Sequence, residues 1–86
     1  MPHHIDLRQA ATRTMTPEEM VTVQTDHGVY NYNGAQLRAA AALVTARSGS
    51  IILAIRDLRA LTGWGLANAK VLVEASQVIS VIDNIL

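Results

Sequence analysis

Two glycines flank the chain's only tryptophan at Gly63-Trp64-Gly65, in the middle of a stretch, residues 61–74, that otherwise favours helix. Glycine is the least costly residue for the left-handed conformation that ends a helix. Gly63 is therefore expected to close a helix beginning near Ser50, and Gly65 to let the chain turn sharply into a second helix at Leu66. Having no Cβ, Gly65 is also expected to let the two helices approach closely. Trp64 sits at the elbow, where a large indole is often only partly buried. A helix-turn-helix pair over about residues 50–76 is thus the firmest constraint on the fold.

What those helices pack against is limited by composition. The chain has 86 residues, half of them apolar but with no Phe and only three aromatic side chains, so its core must be built from Leu, Ile, Val and Ala. A domain near this size buries roughly 60 to 70% of its unfolded surface, which makes it a single domain and makes a homo-oligomer a realistic way to hide more. Seven basic residues balance seven acidic ones without a run of either, a poor electrostatic footprint for nucleic acid. The absence of Cys excludes disulfides, Cys-ligated zinc and thiol chemistry, and is compatible with the cytosol. The start MPHHIDLRQ lacks a signal-peptide pattern, and the apolar runs, such as residues 51–55, are far too short to span a bilayer. The expectation is a cytoplasmic protein with no membrane partner.

Along the chain, residues 1–15 are expected to be flexible or partly helical, with a helical turn in DLRQAATR, and residues 16–86 to form one small α+β domain. In TPEE, Thr16 is placed as an N-cap, Pro17 as the first helical residue and Glu19 as the end of a capping box, so a short helical turn should follow. VTVQTDHGVYNY then changes period, and β-branched and aromatic residues around TDHG predict a β-hairpin over about residues 20–33. Tyr30 and Tyr32 fall on one face of its second strand, where they suit core packing. NGAQLRAAAALVTARSG returns to helix and closes at Arg47 and Gly49. Ser50 can cap IILAIRDLRALTG, and LANAKVLVEAS supplies the last helix of the pair. The tail VISVIDNIL carries an apolar stripe that fits a helix, while its β-branched residues also suit a strand pairing with the hairpin. That stripe belongs either to the core or to a self-association seam.

AIRDLRALTGWGLANAKVLVE resembles the helix-turn-helix of the C-terminal domain of the bacterial ribosomal stalk protein, over residues 51–75. The residues that carry the likeness are Ile55, Arg56, Arg59, Thr62, Gly63, Gly65, Leu66, Ala69, Lys70, Leu72, Val73 and Glu74. The resemblance implies a small α+β unit whose helices pack on a three-stranded sheet, and a face of basic and aliphatic residues that recruits translational GTPases. Ile55, Arg56, Arg59 and Lys70 match that face. Trp64 stands where the family usually has Leu, and Ala67 where it usually has Lys. The upstream hairpin and Ala-rich helix do not resemble the family's arrangement, nor does the chain carry its Glu/Lys-rich tail.

Two readings of the charges follow. Arg56, Arg59 and Lys70 are either solvated cations beside Asp57 and Glu74, or a docking face for a partner with an acidic surface, since Arg56 and Arg59 project from one side of a helix. The docking reading makes the chain a non-catalytic protein-binding module, with Ile55 and Trp64 as apolar anchors among Arg56, Arg59 and Lys70. Its small size without catalytic motifs suits a phage or regulatory protein. A DNA-binding regulator is the alternative from another class, but the helix after Gly65 offers only Asn68 and Lys70 before turning apolar. A structural self-associating protein is the third. No metal or other cofactor is expected, because His3 and His4 with Asp6 form no held set and His27 suits a turn. No enzyme is expected either, since Asp26 and His27 are adjacent in a turn with no evident pocket.

Overall fold

The alternation of the 20–33 segment becomes the two faces of a sheet. The protein, seen in a computed structural model that describes residues 4–11 and 15–79, runs β1 (His4–Asp6), α1 (Leu7–Ala11), β2 (Met20–Thr25), β3 (Gly28–Asn33), α2 (Gly34–Ala46), α3 (Ile51–Thr62) and α4 (Leu66–Ile79). It is a small α+β domain, a three-stranded sheet in the order β1-β2-β3 with helices packed against it. β2 and β3 pair antiparallel from Met20 opposite Asn33 to Thr25 opposite Gly28. The turn is tied by the Thr25 hydroxyl, which accepts from the His27 N–H at 3.1 Å and donates to the Gly28 carbonyl at 3.0 Å. Val21, Val23 and Tyr32 point into the core, while on the other face the Thr22 hydroxyl donates to Asn31 Oδ1 at 2.8 Å.

The N-terminal segment belongs to the same body. β1 pairs parallel with β2, from His4 opposite Met20 to Asp6 opposite Thr22, and α1 follows β1 on the way to its parallel partner. Ile5, Ala10 and Met15 are buried in the common core, so residues 4–11 supply a strand and a short helix to the domain rather than a separate segment.

One reciprocal bond recurs along the chain. The Gln9 N–H donates to Asp6 Oδ1 and the Asp6 N–H to Gln9 Oε1; Asn33 and Gln36 repeat the exchange at the start of α2. Each is a capping box that satisfies two otherwise orphaned donors. At Thr16 and Glu19 half of the box is present, with the Thr16 N–H donating to Glu19 Oε1 at 2.9 Å, but no helix follows. The Glu19 N–H instead turns back to the Thr16 carbonyl, and the carbonyls of Pro17 and Glu19 accept from Ala35 and Gly34. The first residues of α2 thus hold this loop as a single tight turn, and Glu19 leads directly into β2.

The helices pack through small residues. Ala40 of α2, Ala54 of α3 and Ala69 of α4 are fully buried, with Leu37, Leu58, Leu72 and Val73 filling the space around them. α4 is the central helix, touching α1, α2, α3 and β3. Ser50 caps α3 by accepting from the Leu53 N–H at 3.3 Å, and Gly63 closes it in the left-handed conformation at φ 73°. Gly65 differs from the expectation. A Cβ there would meet nothing within 4 Å, so it opens no room between helices; its carbonyl accepts from Ala69 and starts α4. Of the tail, Val78 and Ile79 continue α4, with Ile79 buried and Val78 exposed; residues 80–86 lie outside the described residues.

A guanidinium clamp joins α3 to the end of α2. Arg47 Nε and Nη2 donate to Asp57 Oδ2 and Oδ1 at 2.6 and 3.1 Å. This fork holds the Asp57 carboxyl below its ordinary range, first through the hydrogen bond to Arg47 and then through the charges of Arg47 and Arg56. A depressed carboxyl contributes stability above its unfolded pKa, about 3.9 for Asp, and loses it as pH falls through the folded value. The stability difference between the native chain and Asp57→Asn should therefore be constant near neutral pH and shrink progressively below about pH 4. Urea unfolding across that range, at low and high salt, checks it; a difference that grows on acidification would contradict the clamp.

Candidate functional site

The free side of α3 follows the helical period. Ile52, Arg56 and Arg59 stand at i, i+4 and i+7, which places them on one stripe, and all three are exposed. Ile52 is 79% exposed, a large aliphatic side chain in water one turn from Arg56. Ile55, the aliphatic residue expected on this face, is instead half-buried and packed against the core. Arg56 Nη2 comes to 3.8 Å from Asp57 Oδ1, a carboxylate already engaged by the Arg47 fork, so most of the Arg56 donors are open to solvent. Arg59 extends toward the elbow, its Nε 3.5 Å from the Trp64 carbonyl, a weak contact.

At the elbow all three aromatic residues of the chain gather. The Tyr30 and Tyr32 rings are parallel with centroids 6.3 Å apart, and Trp64 is tilted 35° to Tyr32 at 6.1 Å. Trp64 is half-buried and covers the edge of the core. The Tyr32 hydroxyl donates its one proton between the Asn68 carbonyl at 2.9 Å and Asn68 Oδ1 at 2.6 Å, fastening the first turn of α4 to β3. Burial, and after it the neighbouring Tyr30, pushes the Tyr32 phenol well above its ordinary value, so it stays a neutral donor.

Lys70 belongs to a second neighbourhood. It lines an open groove of about 360 Å³ between the hairpin turn and the first half of α4, bordered also by Tyr30, Leu66, Val71 and Glu74. Its Nζ lies 3.9 Å from Glu74 Oε1 one turn along the helix. The turn residues Asp26 and His27 border the same groove, so the expectation that no pocket lies beside them is corrected. The sequence reading missed Ile52 and this groove. The period linking Ile52 to Arg56 and Arg59 could have found the first; the second needs the hairpin and α4 to meet.

Among the described residues no group of three His, Cys, Asp or Glu side chains could hold a metal ion. None of the described helices is long and apolar enough to cross a membrane. Comparison with family models, with curated proteins and with solved structures found no match.

Proposed function

We propose that this chain is a non-catalytic protein-binding module that docks an acidic partner surface on the free side of α3. Ile52 is its apolar anchor and Arg56 and Arg59 are its charges, with Trp64 at one end of the stripe and Lys70 on α4 as a flanking cation. The observation that carries the reading is Ile52, 79% exposed, with Arg56 one helical turn and Arg59 two turns along the same stripe of a helix capped at both ends. Arg is enriched at interfaces, and an exposed aliphatic side chain in line with two cations offers both a desolvated contact and electrostatic steering. On the stalk-domain resemblance, the first partner to try is a translational GTPase. Reading of DNA by α4 is disfavoured, because its one cation, Lys70, lies beside Glu74.

The test is a pull-down and titration with the native chain beside Arg56→Glu/Arg59→Glu and Ile52→Asp variants shown by circular dichroism to be folded. The proposal expects a partner held by the native chain and lost by both variants, with affinity that falls as salt rises. A partner held equally by all three moves the working surface elsewhere, and binding to duplex DNA with a steep salt slope would replace the proposal.

A further inference from the structure

β3 is an outer strand of the sheet, and among the described residues nothing pairs with its far edge. Such an edge presents a row of unpaired N–H and C=O groups, which proteins ordinarily guard with lysine, proline, a bulge or shortness. β1, at the opposite edge, is guarded by its length of three residues. β3 has no such guard. Its six residues, GVYNYN, carry neither charge nor proline, and each is matched one to one with a residue of β2, so no bulge bends it away. Val29 is 59% exposed on one face of this edge. On the other, half-buried Tyr30 and exposed Leu66 border the groove beside α4.

We propose that β3 pairs edge to edge with β3 of a second copy, antiparallel about a two-fold axis, to form one six-stranded sheet across two molecules. The strand's own chemistry selects the second copy. An uncharged strand has nothing with which to attract a charged foreign segment, yet it sets no like charges against each other when paired with itself. The balanced chain, seven basic residues against seven acidic, adds no net repulsion.

The register follows from the pleat. Side chains alternate between faces, so continuing the tyrosine face across the axis requires residues of equal parity to stand opposite. Asn31 opposite Asn31 satisfies this and places Tyr30 opposite Tyr32 of the second copy, extending the parallel ring pair. Asn31 Oδ1 already accepts from Thr22, and its amide nitrogen carries two protons to donate across the axis.

The chain has no cysteine, so a single introduced one reads the register. Opposed residues of an antiparallel pair have Cα atoms about 4.5–5.5 Å apart, within the roughly 4.4–6.8 Å that a disulfide spans. Under mild oxidation Asn31→Cys should give a disulfide-linked dimer. Val29→Cys, whose two copies would lie four residues apart at about 14 Å, should not. In sedimentation equilibrium the native chain should show a concentration-dependent dimer, and Asn31→Lys, which sets two cations at the axis, should weaken it about tenfold. Circular dichroism checks that each variant is folded. A monomer at every concentration, equal cross-linking at positions 29 and 31, or a dimer untouched by Asn31→Lys overturns the proposal. So does a native chain that stays monomeric and captures a foreign strand at this edge.

Discussion

Gly34→Ala is expected to destabilise the domain by about 3 kcal/mol, the upper end of the usual cost of overpacking. The opposite sign would follow from local rules alone, since replacing glycine by alanine in a helix ordinarily gains about 0.5–1 kcal/mol. The clash decides against that gain. A Cβ at Gly34 would lie 2.5 Å from the Thr16 carbonyl oxygen and 3.0 Å from Pro17 Cα, both backbone atoms that no rotamer change can move. The same turn is held by the Gly34 and Ala35 N–H groups, so relieving the clash means losing bonds at 3.1 and 3.0 Å. Gly65→Ala is the matched control. With open space around its Cβ, the weaker N-cap and the smaller unfolded-state entropy nearly cancel, and the change should stay within about 0.5 kcal/mol of neutral. Denaturant unfolding of both variants checks the contrast; equal effects would mean that the turn at residues 16–19 yields freely.

Tyr32→Ala should cost about 3–5 kcal/mol, in the range for truncating a buried aromatic ring. Tyr32 is 2% exposed, stacks on Tyr30, meets Trp64 and fastens Asn68, so its loss opens a cavity where sheet, elbow and α4 join. Tyr32→Phe separates the two contributions. It keeps the ring and removes only the hydroxyl, and because Asn68 is half-buried and can recruit water, the cost should be about 1 kcal/mol. A Phe variant as unstable as the Ala variant would place the stability in the hydrogen bond and not in the ring.

The parts of the fold that could be read from sequence are those determined by near neighbours. The hairpin announced itself through TDHG between alternating residues, and Ser50 and Gly63 marked the ends of α3 with residues whose chemistry acts within one turn. β1 could not be read in this way, because three residues carry no period and their partner strand begins at Met20. Gly34 was silent for the same reason. The atom that forbids its Cβ belongs to Thr16, brought near only when α2 docks on the turn. The elbow misled in the opposite sense: of two glycines close in sequence, only Gly63 takes a left-handed φ, and Gly65 neither needs one nor makes room for a neighbour. On α3, the choice between Ile55 and Ile52 as the outward aliphatic residue depended on which side the other helices cover. Arg56 and Arg59 were placed on one outward side by spacing alone, whereas Lys70 proved to stand in the groove beside the hairpin.

The aromatic cluster at the elbow also gives the molecule its own optical reporter. With a single indole 6.1 Å from the Tyr32 ring, light absorbed by the tyrosine is passed to Trp64, whose emission colour depends on how wet its half-buried surroundings are. At that separation the transfer is close to complete, so its loss on unfolding reports the parting of the strand from the helix elbow without any attached dye. A partner seated on the end of α3 would shift the emission through its contact with Trp64. Pairing along the far edge of β3 would act first on the tyrosine end of the transfer.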